Sequence, residues 1–506
     1  MNYKHLLFFL SVMTILSCSS PKEFSKKQQA PNILFIAIDD LRPQLNCYGA
    51  SYMHTPNLDQ LATEGRLFKN HFVQVPTCGA SRYAMLLGQY PQYKKYLSNN
   101  VFRDDLVSDE QAGLTPLPKA FKNAGYYTAS LGKIGHYVDG KIFTYDGQGD
   151  GRPEMPNSWD YEWGPTDQWG TAWNAFFGYA NGKNRTDLKK QVAPTEFIAE
   201  KDEDLPDGLI AEKAINELKK LKNQQQPFFL GVGFFKPHLP FVAPKKYWDL
   251  YEGKTLPISP NPAMPMEILP NAVQSSGEMF GNYKNQPEKG GRGIRLSDEY
   301  AMHLRRSYFA AVSYMDAQVG KVLQTLKETG LDKNTIVVVW GDHGWHLGDH
   351  TVWGKHTLFE RALRSAFIIK TPDLSKAGTS NESIVESVDI YPTLLELANV
   401  STPNTLSGKS LVPLLNNPSA SLDKPALSFW RNGYSMRTAT YRFSKYKDGD
   451  KIHLVLFDHT KDQNEEHNVA NQPAYAQILK ELGNLYEKNL FINIEKPLES
   501  LELSKG

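Results

Sequence analysis

Four apolar runs of strand length stop at groups that carry chemistry, and together they restrict what this chain can fold into. They are NILFIAIDD (32–40), GYYTASLGKIGH (125–136), PFFLGVGFFKPH (227–238) and NTIVVVWGDHG (334–344). Runs that are apolar throughout, rather than at alternate positions, predict strands buried on both faces of a parallel sheet. Between them lie helical patterns. Leu58, Leu61, Ala62 and Leu67 recur at helical spacing over 55–68, and amphipathic stretches cover 207–223, 303–330 and 387–400. Strands and helices that alternate in this way give an α/β fold with helices on both faces of the sheet. Ligands bind such sheets at the carboxyl ends of the strands. Asp39, Asp40, Lys133, His136, His238, Asp342 and His343 all stand at those ends, so a single site is expected there.

The pattern changes near residue 401, where a turn-rich stretch precedes short β-like segments and a final helical one. We read residues 31–415 as a catalytic domain and 416–506 as a C-terminal α+β subdomain. Residues 140–205 and 252–298 are irregular and rich in Gly, Pro and Asn, as insertions that shape clefts often are. At the other end, Lys4 and His5 precede LLFFLSVMTIL, too short to span a bilayer but suited to a signal peptide over 1–17. Ile15-Leu16-Ser17-Cys18 resembles a bacterial lipobox, which makes Cys18 the expected site of a lipid anchor in the membrane and 18–30 a polar tether. The expected location is that of an exported bacterial lipoprotein, in the outer membrane or periplasm. A formal net charge of +1 leaves no basic field for nucleic acid, which is not an expected partner.

With Cys18 assigned to the anchor, Cys47 and Cys78 remain of the 3 cysteines. Two thiols do not make a disulfide scaffold in so long a chain. Cys47 reads as a small packed residue. Cys78 alone could be a buried small residue, half of a disulfide, a metal ligand, a catalytic thiol or a precursor of another group.

Cys78-Gly79-Ala80-Ser81-Arg82 fits the maturation motif of type I sulfatases. ILFIAIDDLRPQLNCYGASYMHTPNLDQLATEG, LGKIGH, FFKPHLPF and GDHGWHLGDHTVWGKHTLFE, in that order, resemble the iduronate-2-sulfatase-like branch. The likeness extends to bacterial polysaccharide sulfatases of the ulvan type. It implies an alkaline-phosphatase/sulfatase-like mixed sheet sandwiched by helices, with a smaller C-terminal antiparallel-sheet subdomain. It also implies that a formylglycine-generating maturation enzyme converts Cys78 to an aldehyde, formylglycine. One hydroxyl of the aldehyde hydrate attacks sulfur, and the other expels sulfate, a release that a plain serine or cysteine cannot perform. A helix starting just after residue 78 would aim its positive end at the sulfate.

Asp39, Asp40 and Asp342 are hard oxygen ligands suited to Ca²⁺, and Cys78 would contribute its derived oxygen. His343 completes the set by resemblance, although imidazole is a poor calcium ligand. By the same resemblance Arg82 fixes the hydrated aldehyde and offsets negative charge, while Lys133 and Lys355 bind sulfate oxygens. His136 takes the proton of the releasing hydroxyl and His238 protonates the leaving alcohol, two roles that the resemblance leaves interchangeable. Trp345, His346, Trp353 and His356 are candidates to face the sugar. Glu465, Glu466 and His467 read as a surface turn. The expected substrate is a sulfated carbohydrate, ulvan first, then carrageenan or glycosaminoglycan (iduronate-2-sulfate) fragments. A phosphatase or phosphonate hydrolase of the same superfold, and an inactive glycan-binding lipoprotein, are the rival functions.

Overall fold

Strand β1 (Asn32–Ile38) lies inside an eight-stranded sheet and is buried along its whole length because both faces are covered. The computed structural model describes residues 30–92, 94–143, 149–403 and 405–493. The leader, Cys18 and almost all of the tether lie outside them. The other strands of the sheet are β2 (Arg66–Phe72), β3 (Tyr127–Gly132), β4 (Tyr161–Trp163), β5 (Phe228–Phe234), β6 (Thr335–Gly341), β7 (Phe367–Lys370) and β8 (Thr379–Glu386). Their order is β8-β2-β7-β6-β1-β5-β3-β4. β1, β3, β4, β5 and β6 run parallel, which brings the ends of the four apolar runs to one edge. β7 is antiparallel to both β6 and β2, so the sheet is mixed rather than all-parallel.

Helices cover both faces. Leu34, Ile36 and Ile38 join a core with α1 (Pro56–Glu64), α3 (Pro206–Leu221) and α4 (Asp298–Glu328). Ile33, Phe35 and Ala37 join the opposite core with α2 (Cys78–Leu87) and α5 (Ile390–Leu397). Each such large side chain contributes about 1.5–3 kcal/mol by leaving water. The pattern over 55–68 divides in the structure. α1 ends at Glu64, and Leu67 belongs to β2, where it is also buried. An apolar residue that serves a strand at helical spacing from the preceding helix cannot be told from one that continues it.

Beyond the main sheet, β9 (Ala426–Trp430), β10 (Gly433–Arg437), β11 (Tyr441–Asp448) and β12 (Lys451–Asp458) form an antiparallel sheet. α6 (Ala476–Asn493) packs on it, with Tyr486 stacked on Tyr434. A buried ion network ties this unit to the rest. Arg442 donates to Glu360 and Glu465, both at 2.5 Å, Arg437 donates to Glu360 at 3.0 Å, and His459 meets Glu465 at 3.0 Å. Glu465 is 1% exposed, so it is no surface turn, whereas Glu466 and His467 do lie on one, with their amides held by Asp462. The arginines occupy Glu360 Oε2 and Glu465 Oε1, and the Glu360 amide occupies Glu465 Oε2, so this cluster is held by ion pairs and hydrogen bonds.

Arg442→Met should leave two buried carboxylates undercompensated and destabilise the protein by about 3–5 kcal/mol, read as a lower urea midpoint. Burial raises the Glu465 carboxyl, but Arg442 and His459 more than offset this and hold it at about 2, below its ordinary 4.5. Its stabilising contribution is therefore present above pH 4.5 and is lost as the pH falls towards 2. Glu465→Gln should flatten that part of a melting-temperature profile.

Candidate active site

Cys78 opens α2 as its first residue, after Thr77 in extended conformation. The chain can turn there because Gly79 has no side chain: a Cβ would lie 2.7 Å from Cα of Asn99, whose Oδ1 accepts the Gly79 amide at 2.8 Å. Cys78 Sγ is buried 3.3 Å from Lys355 Nζ and 3.3 Å from His343 Nε2. Burial and Asp39 push its thiol up to about 12, against Lys133 and Lys355. At neutral pH it is a protonated thiol, unlike the thiolate of a cysteine nucleophile. Cys47 is also free, so no disulfide joins the two.

The carboxylates come from the ends of β1 and β6. In an extended strand Asp39 and Asp40 would point to opposite faces. Asp40 instead takes a left-handed conformation (φ 60°), a strained backbone of the kind found at functional sites, and both side chains reach the same place. Asp39 pairs with Lys133 at 2.5 Å and Asp40 with Lys355 at 2.9 Å. Asp342 accepts from Arg82 Nε at 2.8 Å and from the Asp40 amide at 3.0 Å. Arg82 also donates to the backbone carbonyls of Lys133 and Ile134, so it braces Asp342 and the Lys133 turn, where the sequence placed it on the aldehyde.

Ligand atoms of Asp39, Asp40, Cys78 and His343 lie within 4.8 Å of one another, and His343 Nε2 is 3.7 Å from Asp342 Oδ1. A hard divalent cation fits this donor set. Asp39 Oδ1 is buried without a hydrogen bond, an orphaned oxygen of the kind a cation would satisfy. Three cationic side chains, Arg82, Lys133 and Lys355, stand here against four carboxylates, Asp39, Asp40, Asp342 and Glu278. A divalent ion would offset the negative charge of the clustered carboxylates and favour an incoming anion.

The turn after β3 carries Lys133 and His136, with the His136 and Tyr137 amides held by the buried Glu154 carboxyl. The turn fits against β5 because Gly233 has no side chain: a Cβ there would lie 2.1 Å from the Lys133 carbonyl. Burial and then Lys133 hold His136 well below the usual imidazole range, neutral and fit to accept a proton. His238 follows β5. Lys236 Nζ donates to the carbonyls of His238 and Pro240, both at 2.8 Å, and Asp207 accepts the amides of Phe235 and Lys236. His238 Nδ1 lies 2.6 Å from the Leu239 carbonyl, so Nδ1 bears the hydrogen and Nε2 faces the site, 3.1 Å from Glu278. Burial and Lys355 push its pKa down to about 4, and an anion arriving at Lys355 would raise it.

The four sugar-facing candidates separate. Trp345, His346 and Trp353 are at most 1% exposed, which corrects the expectation that they cover a sugar. His346 bonds Thr357 and the Asp349 carbonyl, and the Trp345 ring lies 5.2 Å from Lys355 Nζ. They support the loop. Only His356 is partly exposed, stacked on Trp430 at 4.8 Å and 3.1 Å from Thr77 Oγ1. Glu278, Asn99 and Trp430 were missed. Each comes from an irregular or distant segment whose local sequence carries no signal of the site.

The family model described as Sulfatase matches residues 31–400, and that of the N-sulphoglucosamine sulphohydrolase C-terminal region matches 348–490. A sulfatase of Formosa agariphila is 30% identical over 95% of this chain and 91% of its own length. Iduronate 2-sulfatase of Mus musculus is 28% identical (92% and 96%), and an ulvan-active sulfatase of Formosa agariphila is 27% identical (94% and 85%). A solved structure of a protein in complex with its substrate D-glucosamine-2-N,6-O-disulfate superposes with a TM-score of 0.71 at 23% identity, covering 94% of this chain and 100% of that one.

Proposed function

The chain belongs to the sulfatase family, and from that premise we propose that it removes sulfate from ulvan or its oligosaccharides, through an aldehyde made from Cys78 and with a calcium ion. It is a sulfuric ester hydrolase that acts on sulfated carbohydrate; the polysaccharide, the aldehyde and the identity of the ion are the proposal. The observation that carries it is the convergence on Cys78 Sγ of Lys355 and His343, with Asp39, Asp40 and Asp342 behind them.

Converted to an aldehyde, residue 78 would supply, as its hydrate, one hydroxyl that displaces the sugar alcohol from sulfur and a second whose deprotonation reforms the aldehyde and breaks the C–O bond to release inorganic sulfate. Asp39, Asp40, Asp342 and His343 would hold the cation, which supplies Lewis-acid polarisation. Lys133 and Lys355 bind the sulfate oxygens and offset charge as it grows there. Arg82 aims the Asp342 carboxylate through its Nε contact. Neutral His136 would accept the proton of the releasing hydroxyl, and His238, protonated once bound sulfate offsets the Lys355 charge, would deliver that proton to the leaving alcohol through Nε2. The iduronate-type motifs, the bacterial leader pattern and the ulvan-active relative support ulvan as the first substrate. The same leader supports export, a lipid anchor on Cys18 and an outer-membrane or periplasmic setting, and the motif at 78 supports a maturation enzyme as partner. The proposed division remains 31–415 for the catalytic domain and 416–506 for the subdomain.

The test is inorganic sulfate release by protein co-expressed with a formylglycine-generating enzyme, on ulvan, carrageenan and heparan or dermatan oligosaccharides in parallel. Release from ulvan fragments is expected. Release from another class alone reassigns the substrate, and release from none, with the aldehyde present, defeats the reading.

A further inference from the structure

The insertion over 252–298 delivers one carboxylate into the site. The short helix Gly277–Asn282 is anchored by Met279, which is fully buried and whose carbonyl accepts from Gln286 at 3.1 Å. Ser276, just before it, accepts the Trp353 amide at 2.9 Å, and Gln274 Nε2 bonds the Lys355 carbonyl at 3.4 Å. Glu278 is thus fixed to the loop that carries Lys355. Its Oε1 lies 3.1 Å from His238 Nε2 and its Oε2 lies 3.5 Å from Lys355 Nζ. The side chain is 19% exposed, so it stands at the opening while its two partners, at 4% and 3%, lie within.

A carboxylate in this position opposes the binding of a sulfate at Lys355. Beyond its bond to His238 Nε2, none of the steps assigned above uses it. Its contact with His238 puts it on the side of the leaving alcohol. The oxygens of a vicinal diol lie about one hydrogen-bond length apart, about 2.8 Å. When His238 Nε2 meets the ester oxygen, a hydroxyl on the next carbon therefore comes within reach of Glu278.

We propose that Glu278 is a specificity residue: it accepts a hydrogen bond from the hydroxyl beside the sulfated carbon and rejects sugars in which that oxygen carries a second sulfate. This rests on the sulfatase reading above, and it narrows the substrate to sugars sulfated at one of two neighbouring positions. A hydroxyl donor is favoured by its bond to a charged acceptor, and a neighbouring sulfate is disfavoured by like charge.

The experiment takes whichever oligosaccharide the wild-type protein desulfates, together with its chemically O-methylated and vicinally disulfated counterparts. Wild type, Glu278→Gln and Glu278→Ala are compared by kcat/KM. Wild type should prefer the free hydroxyl over the methyl ether by about 10–100-fold. Glu278→Ala should lose that preference, and both variants should improve relative use of the disulfated sugar by about 10-fold or more. Glu278→Gln should keep part of the hydroxyl preference. An equal fall on all three substrates, with the ratios unchanged, would overturn the assignment and leave Glu278 a structural residue. If wild type releases no sulfate from any oligosaccharide, the sulfatase reading fails, and this assignment with it.

Discussion

Cys78→Ser is expected to abolish turnover, by about 10⁴-fold or more, in protein that folds as the wild type does. The geometry separates the two effects. Cys78 is 2% exposed and its Sγ touches Lys355 and His343, contacts that a hydroxyl of similar size can keep. The melting temperature should therefore stay close to that of unmatured wild type. The chemistry is lost because a serine hydroxyl has no second oxygen on the same carbon with which to expel sulfate. Cys78→Ala should be equally inactive. Substantial turnover by either variant, measured as inorganic sulfate, would show that residue 78 is not the nucleophile and that the buried protonated thiol is structural.

Removal of divalent ions should lower activity by about 10³-fold or more, with recovery on adding Ca²⁺. Without the ion, Asp39, Asp40 and Asp342 lie buried together, and Asp39 Oδ1 has no hydrogen-bond donor. Calcium should therefore also raise the melting temperature, because it binds the folded state alone. At 100 times its dissociation constant that linkage is worth about 2.7 kcal/mol. Asp39→Asn should remove both responses: the variant stays inactive at any calcium concentration and its melting temperature does not move. A wild-type enzyme that keeps full activity after exhaustive chelation, in buffer shown to be free of metal, would contradict the ligand assignment.

The strand ends were legible because burial on both faces forces a continuous apolar run, and the abrupt polar stop after it is hard to explain otherwise. Asp39, Asp40, Lys133, Asp342 and His343 were found that way. The antiparallel β7 was not, since FIIK has the same composition as a parallel core strand and direction leaves no mark on it. The aromatic loop misled for a physical reason. Trp345 and Trp353 are types that can cover a sugar, yet here they brace Lys355 from behind, and residue type does not reveal which side of a loop faces out. Glu278 was invisible because it lies in an aperiodic insertion, 40 residues beyond His238 in sequence and 3.1 Å from it in space. Glu465 read as a surface turn because two of its partners, Arg442 and the backbone amide of Glu360, come from other segments.

The most direct measurement is to quantify, by peptide mass, the fraction of residue 78 converted from thiol to aldehyde, and to plot it against sulfate released per mole of protein. Preparations made with and without the maturation enzyme would span the range. The account predicts a straight line through the origin, with fully unconverted protein folded and inactive. Equal activity from unconverted and converted protein would contradict it.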